Sequence, residues 1–92
     1  MKNIIIVAYD ISNDKLRRHF SEFLEKYGVR VQFSVFEIRN SSRVLNIVKQ
    51  AIETKFKNRF EPGDSIYIFS ANRDDIISYG SAALLDNDLI IL

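Results

Sequence analysis

The chain has no cysteine, one proline, three glycines and one histidine among its 92 residues. Each scarcity removes a class of chemistry. Without cysteine there is no disulfide and no thiolate metal site, and a reducing cytoplasm is permitted. Three glycines are too few for a Gly-rich loop that cradles phosphates. The lone His19 has no partner that would complete a Ser-His-Asp arrangement, so it reads as a structural or solvated side chain. Residues 1 to 9 lack the charged start, long apolar stretch and small-residue cleavage site of a secretory leader. No apolar run nears the roughly 20 residues of a membrane span. These absences lead us to expect a cytoplasmic protein with no membrane partner.

What is present favours a packed core. Hydrophobic residues make up 47% of the chain and include seven Phe and four Tyr. That excludes a disordered polymer and suits one domain over residues 1 to 92. The net charge of +1 hides an uneven layout. Residues 1 to 60 carry 12 Lys or Arg against 6 Asp or Glu, a balance of +6, and residues 61 to 92 carry one Arg against 6 acids, a balance of −5. The first two-thirds of the chain therefore suit a polyanion, unless folding mixes the two regions.

Residues 3 to 9, NIIIVAY, are a continuous β-branched run of the kind that forms a central strand, and Asp10 ends it. Ser12 or Asn13 can cap the next helix. From 14 to 27 the apolar residues Leu16, Phe20, Phe23, Leu24 and Tyr27 make one helical stripe, with Arg17 at its edge and Arg18 nearly opposite. Gly28 stands where a left-handed residue commonly stops a helix. Residues 29 to 39 alternate through Val29, Val31, Phe33 and Val35, then change phase to Phe36 and Ile38, which requires a bulge or tight turn between two short strands. Ser41 or Ser42 caps a second helix whose inner face runs from Val44 to Phe56. Glu61-Pro62-Gly63-Asp64 is a turn by composition, and residues 65 to 71, SIYIFSA, form the next strand.

The order β-α-β-β-α-β predicts an α+β ferredoxin-like sandwich, with two helices on one face of a four-stranded antiparallel sheet. Residues 76 to 80, IISYG, suit a short extra strand, and residues 89 to 92 form an apolar run. The expectation for residues 76 to 92 is a C-terminal strand region docked on a sheet edge of a second copy, giving a two-fold homodimer. Docking within one chain is the alternative.

Asp10 is the chief candidate for chemistry. A carboxylate is a hard ligand for Mg2+, or for Mn2+, and such ions assist phosphodiester hydrolysis. One carboxylate makes a weak site, which a symmetry mate near a dimer axis would complete. The plain alternative is an aspartate bonded to backbone N–H groups in the turn. Tyr9 either stacks on a base or fills an interface. Arg17 and Arg18 suit bidentate phosphate contacts, or else form a solvated helix edge. Lys15, Arg30, Arg39 and Arg43 can extend that positive surface. Ser34 either bonds a phosphate or bound water, or satisfies the backbone where the strand phase changes. Asp14 most simply favours the positive end of the helix dipole.

Together, Tyr9-Asp10-Ile11, Asp14, Arg17-Arg18, Tyr27-Gly28, Arg30-Val31-Gln32 and Ser34-Val35-Phe36-Glu37 resemble the second core CRISPR-associated protein family (Cas-two). The strand from Asp64 to Phe69 extends the likeness over nearly the whole chain. The resemblance implies a homodimer with Asp10 as the catalytic and metal-binding residue, facing its mate across a cleft. It also implies Mg2+-dependent endonuclease activity on single-stranded RNA or duplex DNA, and a bridging role between integrase subunits during CRISPR spacer acquisition. Tyr9, Arg17, Arg18, Ser34 and Phe36 match family positions grouped around that cleft, and are expected to bind nucleic acid. Toxin ribonucleases of the virulence-associated D type share the fold and the strand-end aspartate, but residues 32 to 37, QFSVFE, favour the CRISPR family over them. A non-catalytic ferredoxin-like interaction module is the third class of function.

Overall fold

β1 (Asn3–Asp10) is the inner strand from which the rest of the molecule is built. The computed structural model describes residues 3 to 80. Strand alternation sends Ile5, Val7 and Tyr9 into the core, and therefore turns Ile4, Ile6, Ala8 and Asp10 to the opposite face. α1 (Asp14–Glu25) begins where the Asn13 side chain accepts the Leu16 N–H at 2.8 Å, which selects Asn13 over Ser12 as the cap. Leu16, Phe20 and Leu24 are fully buried along the expected stripe.

β2 (Gly28–Gln32) and β3 (Val35–Ile38) are separated by a turn at Phe33 and Ser34, and their pairing slips between Arg30 and Gln32. The phase change in the sequence thus reflects both a turn and a register shift. Gly28 is not a left-handed helix stop. The positive-φ glycines among the described residues are Gly63 and Gly80, and Gly28 opens β2. A Cβ there would lie 2.0 Å from the Glu37 carbonyl oxygen, so close strand approach is what requires glycine.

α2 (Ser42–Ala51) is capped by Ser41, which accepts the Val44 N–H at 3.2 Å. Its inner face continues through a π-helical turn, Ile52–Phe56, to the buried Phe56, and an exposed 3-10 turn, Lys57–Arg59, follows. β4 (Ser65–Asn72) pairs antiparallel with β1 along its full length. The sheet order is β2-β3-β1-β4, all antiparallel, and both helices cover one face. This is the ferredoxin-like arrangement expected from the element order.

Phe20 is the hub of the core. Its ring meets Tyr9 edge-on at 5.1 Å and Phe56 at 5.0 Å. Burial of each such side chain contributes about 1.5–3 kcal/mol. No helix among the described residues covers the other sheet face, although Ile4 is buried there. There Phe69 pairs with Ile6 and Tyr67 with Ala8 in the strand register, and Tyr67 keeps 68% and Phe69 49% of its surface exposed. Glu37, also on this face, is buried and paired with Arg73.

Residues 76 to 80 do not form the expected strand. A 3-10 turn, Arg73–Asp75, fixed by the Asn72 side chain accepting the Asp74 N–H, ends the strand course after β4. Residues 81 to 92, including the apolar run at 89 to 92, lie outside the described residues.

Candidate nucleic-acid interface

Asp10 is the last residue of β1, exposed, and opposite Ser65 in the register with β4. Among the described residues, no hydrogen bond or ion pair engages its carboxylate. The turn-stabilising alternative for Asp10 therefore has no bond to support it. A different carboxylate does that work. Asp64 accepts the Ser12 N–H at 3.0 Å and the Glu61 N–H at 2.9 Å, and the Ser12 hydroxyl lies 3.0 Å from both Asp64 Oδ1 and Glu61 Oε1. The Glu61 N–H, and after it Ser12, hold the Asp64 carboxyl below its ordinary pKa, against a smaller opposing effect of desolvation. This latch fixes the loop that follows Asp10 to the turn that precedes β4.

Tyr9 and Asp10 point to opposite faces because they are neighbours on a strand. The Tyr9 ring is only 6% exposed, lies edge-on to Phe20 and stacks at 6.3 Å on Phe36. It is thus a core residue, with no ring face open to a base. Its hydroxyl is buried and has no hydrogen-bond partner among the described residues. Burial raises its pKa, and the Arg30 and Arg17 guanidiniums work against that rise.

Those guanidiniums belong to a pocket of about 300 Å³ on the helix side, lined by Tyr9, Asp14, Arg17, Arg18, Arg30 and Phe33 among others. Arg17 reaches into it from the first turn of α1, donating to the Ile11 carbonyl at 2.9 Å and pairing with Asp14. Arg30 enters from β2, lies 5.1 Å from the Phe36 ring centroid and donates to the Phe33 carbonyl at 2.6 Å. Arg18 is more exposed, with Glu22 4.0 Å away. Three guanidiniums and one carboxylate line the pocket, and the Glu25 charge also reaches the Tyr9 hydroxyl.

The expected site residues thus divide. Tyr9, Arg17 and Arg18 share this pocket, whereas Asp10 stands at the same strand tip but on the other face. Ser34 joins them through its backbone: its carbonyl accepts the Tyr9 N–H at 3.0 Å, tying the β2–β3 turn to the β1 tip. Phe36 has 0% exposure. It therefore has no surface for direct contact, and the Tyr9 and Arg30 side chains pack against it. Phe33 and Ser21 are lining residues missed in the chemical reading of the sequence, and Phe33 is the aromatic one. Strand alternation suggested burial, but the turn leaves it 71% exposed. His19 lies apart, in a second pocket with Glu22, Lys26, Lys55 and Arg59.

The described residues contain no group of three or more His, Asp or Glu side chains placed to hold a metal. At the β1 tip one protomer offers the unengaged carboxylate of Asp10, which fits a divalent ion when a second copy or substrate oxygens complete the ligand set. No helix among the described residues is long and apolar enough to cross a membrane.

The family model for CRISPR associated protein Cas2 matches residues 3–76. A Synechocystis protein named CRISPR-associated endoribonuclease Cas2 3 is 34% identical over 55 residues, covering 60% of this chain and 60% of that relative. The matched stretch therefore spans less than two-thirds of that protein. A hypothetical protein from Thermus thermophilus, TT1823, superposes with a TM-score of 0.71 at 29% identity, covering 91% of this chain and 98% of its own. A chain of a partial Cas6-RT-Cas1–Cas2 complex matches with a TM-score of 0.56 at 33% identity, covering 80% of this chain and 82% of that one. With the family model spanning most of its length, this chain belongs to the CRISPR associated protein Cas2 family.

Proposed function

We propose that the protein is a CRISPR adaptation subunit that binds nucleic acid as a homodimer and bridges integrase subunits, with Asp10 serving phosphodiester hydrolysis. The observation that carries this reading is the unengaged Asp10 carboxylate, exposed at a strand tip whose other side is ringed by Arg17, Arg18 and Arg30. The guanidiniums bind the phosphate backbone without reading bases, so binding is salt-sensitive and weakly sequence-selective. The names of the Synechocystis relative and of the Cas1–Cas2 complex support a nuclease and an integrase partner, respectively.

The open sheet face supports a homodimer. Ile6, Ala8, Tyr67 and Phe69 form an apolar surface on the face that also bears Asp10. Packing two such faces together buries that surface and brings two Asp10 carboxylates towards one groove. A bound Mg2+ would supply charge neutralisation at the phosphodiester. Asp10 would be its protein ligand, and the guanidiniums would orient the backbone.

A scaffold without hydrolysis is the second reading, favoured because the described residues of one protomer hold no group of three or more acidic or His side chains placed around a metal. Asp10→Ala separates the two. Nuclease activity with Mg2+ should vanish while duplex binding persists within about twofold, because Asp10 contributes no positive charge. Undiminished cleavage by the variant would remove Asp10 from the reaction. Spacer integration unaffected by the variant would assign hydrolysis no part in adaptation.

A further inference from the structure

We propose that the helix-side pocket behind the β1 tip is a subsite for one unpaired nucleotide, its phosphate held by Tyr9, Arg17 and Arg30 and its base stacked on Phe33. The inference rests on the nucleic-acid reading above and narrows it to a strand with at least one base free of its partner.

Tyr9 is the starting point. A tyrosine hydroxyl that is buried usually finds a partner. This one, on a residue 6% exposed, has none among the described residues and lies in the field of the Arg30 and Arg17 guanidiniums, which the Glu25 carboxylate opposes more weakly. No core-packing purpose requires the oxygen, since phenylalanine would make the same ring contacts with Phe20 and Phe36. An anionic oxygen at the pocket floor would accept a hydrogen bond from this hydroxyl and lie beside Arg17 and Arg30. Charge-assisted bonds of this type are the strong ones.

Phe33 supplies the second, independent observation. It stands in a two-residue turn and keeps 71% of its surface exposed, although its neighbours are polar. The Arg17 and Arg30 guanidinium carbons lie 5.8 and 6.0 Å from its ring centroid, at the outer reach of cation–π contact. The ring is thus flanked by cations without being covered by them. Aromatic platforms beside guanidiniums hold unpaired bases, because every base offers a π face. In an intact duplex both faces of an internal base are already stacked. The volume of about 300 Å³ is at the small end of small-molecule sites and suits one nucleotide rather than a helix.

Calorimetric titration of the intact protein with uridine 5′-monophosphate, inorganic phosphate and uridine tests this, with a duplex DNA titrated in parallel. The nucleotide should bind about tenfold or more tighter than phosphate or uridine, as base stacking adds to anion binding. Tyr9→Phe should weaken nucleotide and phosphate alike by about tenfold, the loss of one bond to a charged acceptor. Its ligand-free unfolding midpoint should not fall, so misfolding cannot account for the weakening. Phe33→Ala should reduce nucleotide affinity to that of phosphate and leave phosphate unchanged. Nucleotide binding no tighter than phosphate would mean an anion site only, and would overturn the proposal. Unchanged binding by Tyr9→Phe would overturn it as well. If duplex DNA binds and the nucleotide does not, the subsite is refuted while the broader function stands. If the nucleotide binds with the predicted variant pattern and duplex does not, the subsite stands and duplex binding falls.

Discussion

A hydroxyl buried without a partner costs about 1–3 kcal/mol, and Tyr9 carries one into the core of a small domain. Tyr9→Phe should therefore raise the melting temperature by about 4 °C or more, as read by calorimetry of the ligand-free protein. A fall would show that the hydroxyl is satisfied in solution. Glu37 makes the opposite case. Its side chain is 3% exposed and paired with Arg73 on the open sheet face. Glu37→Ala leaves a guanidinium without this partner in a largely buried place, and should cost about 3 kcal/mol or more in urea unfolding. A loss near zero would show the Arg73 side chain relaxing into solvent. The pairing between Arg17 and Asp14 is different in kind: Asp14 is largely exposed, so its value lies in orienting Arg17 rather than in stability.

At the level of elements, the β2–β3 pair depends on the absence of a side chain at Gly28. Gly28→Ala places a methyl 2.0 Å from the Glu37 carbonyl oxygen, so the strands must separate. We expect a loss of about 1–3 kcal/mol, measurable as a lowered urea midpoint. The Asp64 latch should respond to pH with a definite sign. Its folded-state pKa is depressed, so the latch is fully formed above the ordinary 3.8 and is lost as pH falls through the lower folded value. The Ser12 amide resonance should move over that window and stay constant above it; a transition at higher pH would assign the latch to another group. The caps and helical stripes were legible in the sequence, because Asn13, Ser41 and the Leu16-to-Leu24 spacing act within a few residues. The role of Gly28 was not legible. A helix end is a local signal, whereas the crowding comes from a strand nine residues onward.

For the whole molecule, the same distinction governs the site. Asp10, Arg17 and Arg18 stood out because carboxylates and paired guanidiniums announce their chemistry. Their division between two faces depends on strand alternation and helix docking, which adjacency in sequence conceals. Phe36 and Phe33 illustrate it most plainly. One is sealed beneath Arg30 and the other is left open by a turn, although both are aromatic residues of one hairpin. If the guanidinium surface tracks a phosphate backbone, Arg17→Ala with Arg18→Ala should weaken duplex binding for all sequences alike. It should also flatten the salt dependence by about 0.9 in logarithmic slope for each phosphate no longer neutralised. An unchanged slope would place the backbone elsewhere. The central claim is that two copies meet through the open sheet face and bring their Asp10 tips together. With no native cysteine, Asp10→Cys gives one spin-label site per chain, and pulsed electron-spin resonance reads the distance between the two. We predict a narrow distribution shorter than 20 Å, the least dimension of one protomer. Distances beyond its 28 Å middle dimension, or no dipolar coupling at concentrations that bind nucleic acid, would contradict it.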